Sequence, residues 1–159
     1  MVGGFCGKKK GSIANDEFYT PKDVWALIQS RIPRDRVIWE AFRGDGKSAE
    51  HLRSFGCKVV CEDEDFFTVN RGDIVVSNPP FSKKKDVVLR LRELNKPFIL
   101  LMPYEVLFTK YFTPFQDEIQ LLIPKKRVSF LRDNKLVKFN YDCVFFCWRM
   151  NFPKDLIFV

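Results

Sequence analysis

Asp73-Ile74-Val75-Val76-Ser77-Asn78-Pro79-Pro80-Phe81 is the stretch from which the fold of this chain can be worked out. Asp73 to Ser77 has the composition of a buried strand, and the prolines stop it. Each lacks the N–H and fixes φ, so neither continues a central strand. The run therefore ends on an amide, a bare carbonyl and an aromatic ring. In open α/β sheets the carboxyl edge of the strands is where ligands sit. The Asn78 side-chain oxygen and the Pro79 carbonyl are two acceptors with no competing proline amide. They suit an –NH2 group on a flat ring, with Phe81 as the stacking surface. A plain strand-ending turn is the competing meaning of Asn-Pro-Pro.

Upstream, Thr20-Pro21 reads as an N-cap followed by proline at the first helical position, with Asp23 in the first turn. Val24, Leu27, Ile28 and Ile32 supply an apolar helix face. Val37 to Ala41 is a first buried strand. Arg43-Gly44-Asp45-Gly46 then turns the chain into a helix from about Lys47 to Phe55, which ends at Gly56. Cys57 to Cys61 is a second strand, closing on Glu62-Asp63-Glu64-Asp65.

After the prolines comes an amphipathic helix with Val87, Val88, Leu91 and Leu94 on one face. Pro97 to Met102 is a strand, 104–112 a short helix and Ile119 to Ile123 a further strand. Val128 to Leu131 and Leu136 to Phe139 flank Asp133-Asn134 as a hairpin, and Cys143 to Arg149 closes the series. Strands alternating with helices predict a mostly parallel α/β sheet with antiparallel pairing near its end.

The 159 residues suit a single domain, here expected over 15–159, behind a mobile Gly- and Lys-rich tail over 1–14. A hydrophobic content of 46% with 17 Phe argues for a folded core. No stretch approaches the roughly 20 apolar residues of a membrane span, and the first residues lack an apolar signal core, so an intracellular protein of cytoplasm or nucleus is expected. The net charge of +7 favours polyanionic partners. Lys83, Lys84 and Lys85 directly follow the Asn-Pro-Pro-Phe edge, and Lys125, Lys126 and Arg127 form a second cluster. Two cysteine pairs, 57/61 and 143/147, have zinc-like spacing but fall in strand-like runs. Four residues of strand span about 13 Å, too far for two ligands of one tetrahedral ion. Reduced buried thiols are expected instead, and no metal site.

Gly44 and Gly46 let backbone approach a ligand closely, and carboxylates ending the second strand can accept hydrogen bonds from ribose hydroxyls. The third glycine of the dinucleotide fingerprint is missing. The arrangement suits a nucleoside ligand without pyrophosphate, although an acidic run such as Glu62 to Asp65 is also what a solvated loop looks like.

Asn-Pro-Pro-Phe after an apolar strand, with an acidic-x-x-x-Gly-x-Gly turn upstream, resembles the S-adenosylmethionine-dependent amino methyltransferases that modify adenine N6. Asp16-Glu17-Phe18-Tyr19-Thr20-Pro21 resembles the aromatic-Thr-Pro segment of bacterial, phage and viral DNA adenine methyltransferases. Pro124-Lys125-Lys126-Arg127-Val128-Ser129-Phe130 resembles a Pro-x-x-Arg-hydrophobic-x-Phe stretch of the same group. The resemblance covers roughly residues 16 to 149 and implies a Rossmann-like methyltransferase sheet. It implies that Glu40, Gly44 and Gly46 line the methyl donor, with Phe18, Tyr19 and Thr20 near its methionine end. Glu62 or Asp63 would hold the ribose, and Asp65 with Phe66 the donor's adenine. Asn78, Pro79, Pro80 and Phe81 would hold the target amine, and the two basic clusters the nucleic acid.

The sequence departs from the family at Glu40 (usually Asp), Ala41 (usually Pro) and Arg43 (usually small). The stretch before Asp65-Phe66 is also nearly absent, so one helix of the family's fold is expected to be missing. Direct methyl transfer needs no strong general base, which fits a chain whose one histidine, His51, falls on a helix face.

Two other functions stand beside this one: an N5-glutamine protein methyltransferase, whose target also presents –NH2, and a non-catalytic nucleic-acid-binding subunit with a degenerate donor pocket. The aromatic-Thr-Pro segment and the basic charge favour nucleic acid, and the resemblance to viral and phage DNA enzymes favours DNA over RNA. No segment outside the core is long enough for a target-recognition domain, so a homodimer mate or a partner protein is a candidate source of specificity.

Overall fold

In the computed structural model, which describes residues 16–159, β1 (Val37–Trp39), β2 (Lys58–Val60), β3 (Ile74–Ser77) and β4 (Phe98–Pro103) run parallel in the order β2-β1-β3-β4. β5 (Ile119–Ile123), β8 (Cys143–Trp148) and β9 (Leu156–Phe158) extend the sheet beyond β4 in the order β8-β5-β9. β8 is antiparallel to both of its neighbours, whereas β9 runs parallel to β5. β6 (Phe130–Arg132) and β7 (Lys135–Val137) form a separate antiparallel hairpin. Asp133 and Asn134 turn it with φ of 51° and 60°, the left-handed pair that a two-residue hairpin requires.

The helices α1 (Lys22–Ala26), α2 (Lys47–Ser54) and α3 (Lys84–Leu94) cover the sheet. β3, β4 and β8 are buried at every position, since both faces of the sheet are covered there. Their alternate residues fill two cores. Ile99, Leu101, Phe145 and Cys147 pack with Trp25 and Ile28 on one face, and Phe98, Leu100, Met102 and Phe146 pack with Val87, Val88 and Leu91 on the other. Side chains of successive strand residues point to opposite faces, so one apolar run serves both layers.

Gly72 and Lys96 fix the entry to β3. Gly72 has φ +58°, and a Cβ there would lie 2.9 Å from the Val37 carbonyl oxygen. That close approach lets the Asp73 N–H donate to Val37 O while the Asp73 carboxylate accepts from Val37 N, both at 2.7 Å. The buried Lys96 ammonium donates to the carbonyls of Arg71 and Gly72.

Several expectations need correction. Thr20 does not cap α1. Pro21 occupies the N-cap with extended backbone and no side-chain bond. Tyr19 pairs with Leu131 as a β-bridge, which draws this stretch toward the hairpin and leaves Thr20 Oγ1 buried without a partner among the described residues. The helix expected to reach Ile32 stops at Ala26, and a 3-10 turn follows over Gln29–Arg31. Residues 104–112 form no α-helix; two 3-10 segments, Tyr104–Phe108 and Lys110–Phe115, take their place, the second containing Pro114. β9 was not foreseen. No helix forms between β2 and β3, as the shortened acidic stretch implied. The tail over 1–14 lies outside the described residues. Among the described residues, no helix is long and apolar enough to cross a membrane.

Candidate active site

Because β2 and β3 flank β1, strand order reverses between β1 and β3, the point where open α/β sheets form their ligand crevice. Glu40 follows β1 and Asn78 follows β3. The ends of the two strands are joined by one contact, in which the Ser77 hydroxyl donates to Glu40 Oε1. The same oxygen accepts from the Phe42 N–H at 3.1 Å. Glu40 is 1% exposed, and burial pushes its carboxyl pKa up to about 8, partly opposed by those two hydrogen bonds. A neutral acid at this position ties the ends of the two strands together.

Asn78 is held from outside the sheet. Its Nδ2 donates to the Phe18 carbonyl at 2.9 Å, which fixes the amide plane and turns Oδ1 the other way. That oxygen is buried and accepts no hydrogen bond among the described residues. A buried acceptor left open costs about 1–3 kcal/mol, so its place beside a cavity points to a ligand donor. The cavity, about 20 Å³, is lined by Asp16, Phe18, Asn78, Pro79 and Phe81. Residues 16–20 form a strap across this cavity, and Asp16 closes it by accepting from Ser82 N at 3.0 Å and Ser82 Oγ at 2.5 Å. The Phe18 and Phe81 rings are nearly parallel, 18° apart with centroids at 6.5 Å. Phe139 meets both edge-on, at 5.3 Å and 4.8 Å. Phe81 is thus a wall of a narrow slot and only 6% exposed, not an open stacking surface.

The Gly-x-Gly turn lies against the same strap. A Cβ on Gly44, whose φ is +54°, would sit 3.1 Å from Tyr19 Cε1, whereas one on Gly46 would meet nothing within 4 Å. Burial raises the Tyr19 hydroxyl pKa, with Asp45 and Glu17 adding to the effect. Arg43 is exposed beside this turn.

The remaining predicted residues fall into two kinds. Glu62, Asp63 and Asp65 are exposed after β2, with Asp65 Oδ1 accepting from Phe67 N at 3.0 Å. Phe66 is buried against Trp39 and Phe42. Among the cations, Lys83 Nζ lies 5.9 Å from the Phe67 ring, and Lys84 pairs with Glu105 at 3.8 Å. Arg127 is spent on structure: its guanidinium pairs with Asp142 at 2.8 Å and donates to Phe139 O at 2.6 Å. Lys85, Lys125 and Lys126 are exposed.

Among the described residues, no group of three or more His, Cys, Asp or Glu could hold a metal ion. Cys57, Cys61, Cys143 and Cys147 are free. Burial pushes the Cys143 thiol up to about 12. His51 lies on α2, with its pKa lowered mainly by burial.

Sequence reasoning missed Ser77 and Phe139 as parts of this site, and gave Asp16 no role. Nothing in a strand's last serine or a hairpin's phenylalanine signals such contacts.

No protein-family model matches the chain, and no curated protein matches it. Its fold has solved counterparts. A dimethyladenosine transferase from Plasmodium falciparum superposes with a TM-score of 0.53 at 11% identity, covering 82% of this chain. The chain spans 62% of that protein's length. A precorrin-6y C5,15-methyltransferase from Geobacter metallireducens matches with a TM-score of 0.49 at 14% identity, covering 86% of this chain and 96% of that one. The tRNA (m1A58) methyltransferase TrmI from Aquifex aeolicus matches with a TM-score of 0.42 at 12% identity, covering 83% and 70%. At such identity a likeness is one of fold alone, and the fold is the Rossmann-like methyltransferase sheet: mostly parallel, with one antiparallel strand inserted.

Proposed function

We propose that this chain transfers a methyl group from S-adenosylmethionine to the exocyclic N6 amine of adenine in nucleic acid, with DNA favoured over RNA. The observation that carries this reading is Asn78 Oδ1, a buried acceptor with no partner among the described residues, held beside a slot between two nearly parallel rings. An amine on a flat ring is the group such an acceptor completes.

The residues present fit the proposed donor. Gly46 leaves open space at the turn, Thr20 Oγ1 is a second buried and unpartnered polar atom, and the carboxylates of Glu62 and Asp63 follow β2. The bound donor supplies an electrophilic methyl carbon on a sulfonium. Everything else falls to the chain. Asn78 Oδ1 and the Pro79 carbonyl accept the two amine hydrogens, which favours a pyramidal nitrogen and stabilises the positive charge growing there. Phe18 and Phe81 hold the ring plane, and orientation of this kind is worth several kcal/mol. Glu40 Oε1, which accepts from Ser77 and Phe42, ties the strand ends together.

A cavity of about 20 Å³ accepts one water and no base. Entry of adenine therefore requires Asp16 and Phe18 to move away from Ser82 and Phe81. Lys83 and Lys85, which follow Phe81 closely in the chain, supply positive charge for a phosphate backbone, while Lys84 is paired with Glu105.

Nucleosides digested from DNA or RNA after incubation with the protein and methyl-labelled donor should contain N6-methyladenine by mass spectrometry. Label on protein glutamine instead, or no label together with no donor binding by calorimetry, overturns the proposal.

A further inference from the structure

We propose that the rim outside the Asn78 slot is a stacking track for an unpaired polynucleotide strand, leading from Phe81 over Phe139 and Tyr141 to Tyr104. The inference rests on the nucleic-acid reading above and narrows its substrate to single-stranded or locally melted sequence.

The track is built from contacts that continue outward from the slot. Phe139 lies 4.8 Å from Phe81 and 6.0 Å from Tyr141, centroid to centroid. The Tyr104 N–H donates to the Asp142 carbonyl at 2.9 Å, which sets the Tyr104 backbone beside the residue that follows Tyr141. Phe108 ends the 3-10 segment that Tyr104 begins. Phe81, in the slot, is 6% exposed, whereas Tyr141 is 47%, Tyr104 44% and Phe108 81% exposed. Rings left in water beside a buried slot mark a binding surface more than a packing defect.

Charge on the rim selects a polyanion. The Arg132 guanidinium sits 5.4 Å from the Phe18 ring, and Lys135 and Lys138 are exposed along the same hairpin. Two of the acids near the rim are ion-paired, Asp142 with Arg127 and Glu105 with Lys84. Cations alone would serve any polyanion, duplex included. Exposed rings add a preference, because a duplex hides its base faces whereas an unpaired strand offers them for stacking. Such a strand also reaches a narrow slot without the few kcal/mol that flipping a base from a duplex costs.

The test uses a labelled oligothymidine strand and a duplex of equal length in fluorescence anisotropy titrations. Oligothymidine has no adenine, so its binding reports the track and not the slot. The wild-type chain should bind the single strand at least about tenfold more tightly than the duplex. The Tyr104→Ala/Tyr141→Ala double variant should lose about tenfold or more on the single strand, with duplex affinity unchanged within about twofold. Circular dichroism checks its folding, and the single variants stand in should the double variant misfold. Single-strand affinity unchanged in the variants, no wild-type preference for the single strand, or self-association through this rim in place of oligonucleotide binding each overturns the track. Wild-type protein that binds the strand as expected but methylates no adenine would refute the catalytic reading and leave the track standing.

Discussion

Glu40→Gln replaces a buried acid by a neutral isostere at the junction of β1 and β3, and its effect on stability can be worked out with a sign. Burial raises the Glu40 pKa from 4.5 to about 8. Between those values the folded chain holds a proton that the unfolded chain releases, so stability is greatest below the ordinary carboxylate range. It falls as pH climbs and levels off above about pH 8. Across the whole window the loss amounts to about 5 kcal/mol, and between about pH 5.5 and about pH 7.5 it is about 2 to 3 kcal/mol. For a domain of this size that corresponds to a fall in Tm of about 5 to 10 °C.

Glutamine keeps an oxygen to accept from Phe42 N–H and Ser77 Oγ, yet carries no proton to lose. Near pH 5.5 the variant should match wild type to within about 1 kcal/mol. Above pH 8 it should be the more stable protein by a few kcal/mol. Urea unfolding at a series of pH values measures both curves, and their difference cancels every other titrating group. Parallel curves across that window would refute the burial of an uncompensated carboxyl at this position, and with it the neutral tie between the strands.

The remaining predictions concern the slot, the charge and the backbone. Asn78→Ala should lower kcat/KM for methyl transfer by at least about a hundredfold, while calorimetry finds donor affinity within a few-fold of wild type; retained turnover would remove Asn78 from the chemistry. Changing Lys83, Lys84 and Lys85 together to glutamine should weaken polynucleotide binding and reduce the slope of log K against log salt by up to about 3, and an unchanged slope would count against contact there. Gly72→Ala should destabilise by about 2 to 4 kcal/mol in urea unfolding, through left-handed strain together with a clash against backbone. Gly46→Ala, where a side chain meets open space, should cost only about 1 to 2 kcal/mol from the strained φ.

How much of this was legible beforehand differs from element to element. The Ile74–Ser77 strand, the helix behind Lys84 and the Asp133-Asn134 hairpin each carry a local signature: an apolar run stopped by proline, a helical period, and a turn pair that tolerates positive φ. The α/β alternation followed from those signatures. β9 carries none, since three residues near Pro153 show neither period nor length, and it exists because the open edge of β5 accepts it. The α1 boundary failed for a related reason: pairing of Tyr19 with Leu131, more than a hundred residues apart in the chain, overrode a favourable capping sequence.

The same division holds for the candidate site. Local chemistry was enough to single out Asn78, Pro79 and Phe81, because proline stops a strand wherever it occurs and leaves those groups at its end. It could not say that Phe18 would orient the Asn78 amide, that Ser77 would reach Glu40, or that burial would keep that acid protonated. Those are contacts between segments 37 to 60 residues apart in the chain, and a carboxyl's proton affinity depends on the water excluded around it. Residue types and their spacing specify which groups are available, whereas their desolvation and mutual distance arise only when the sheet closes.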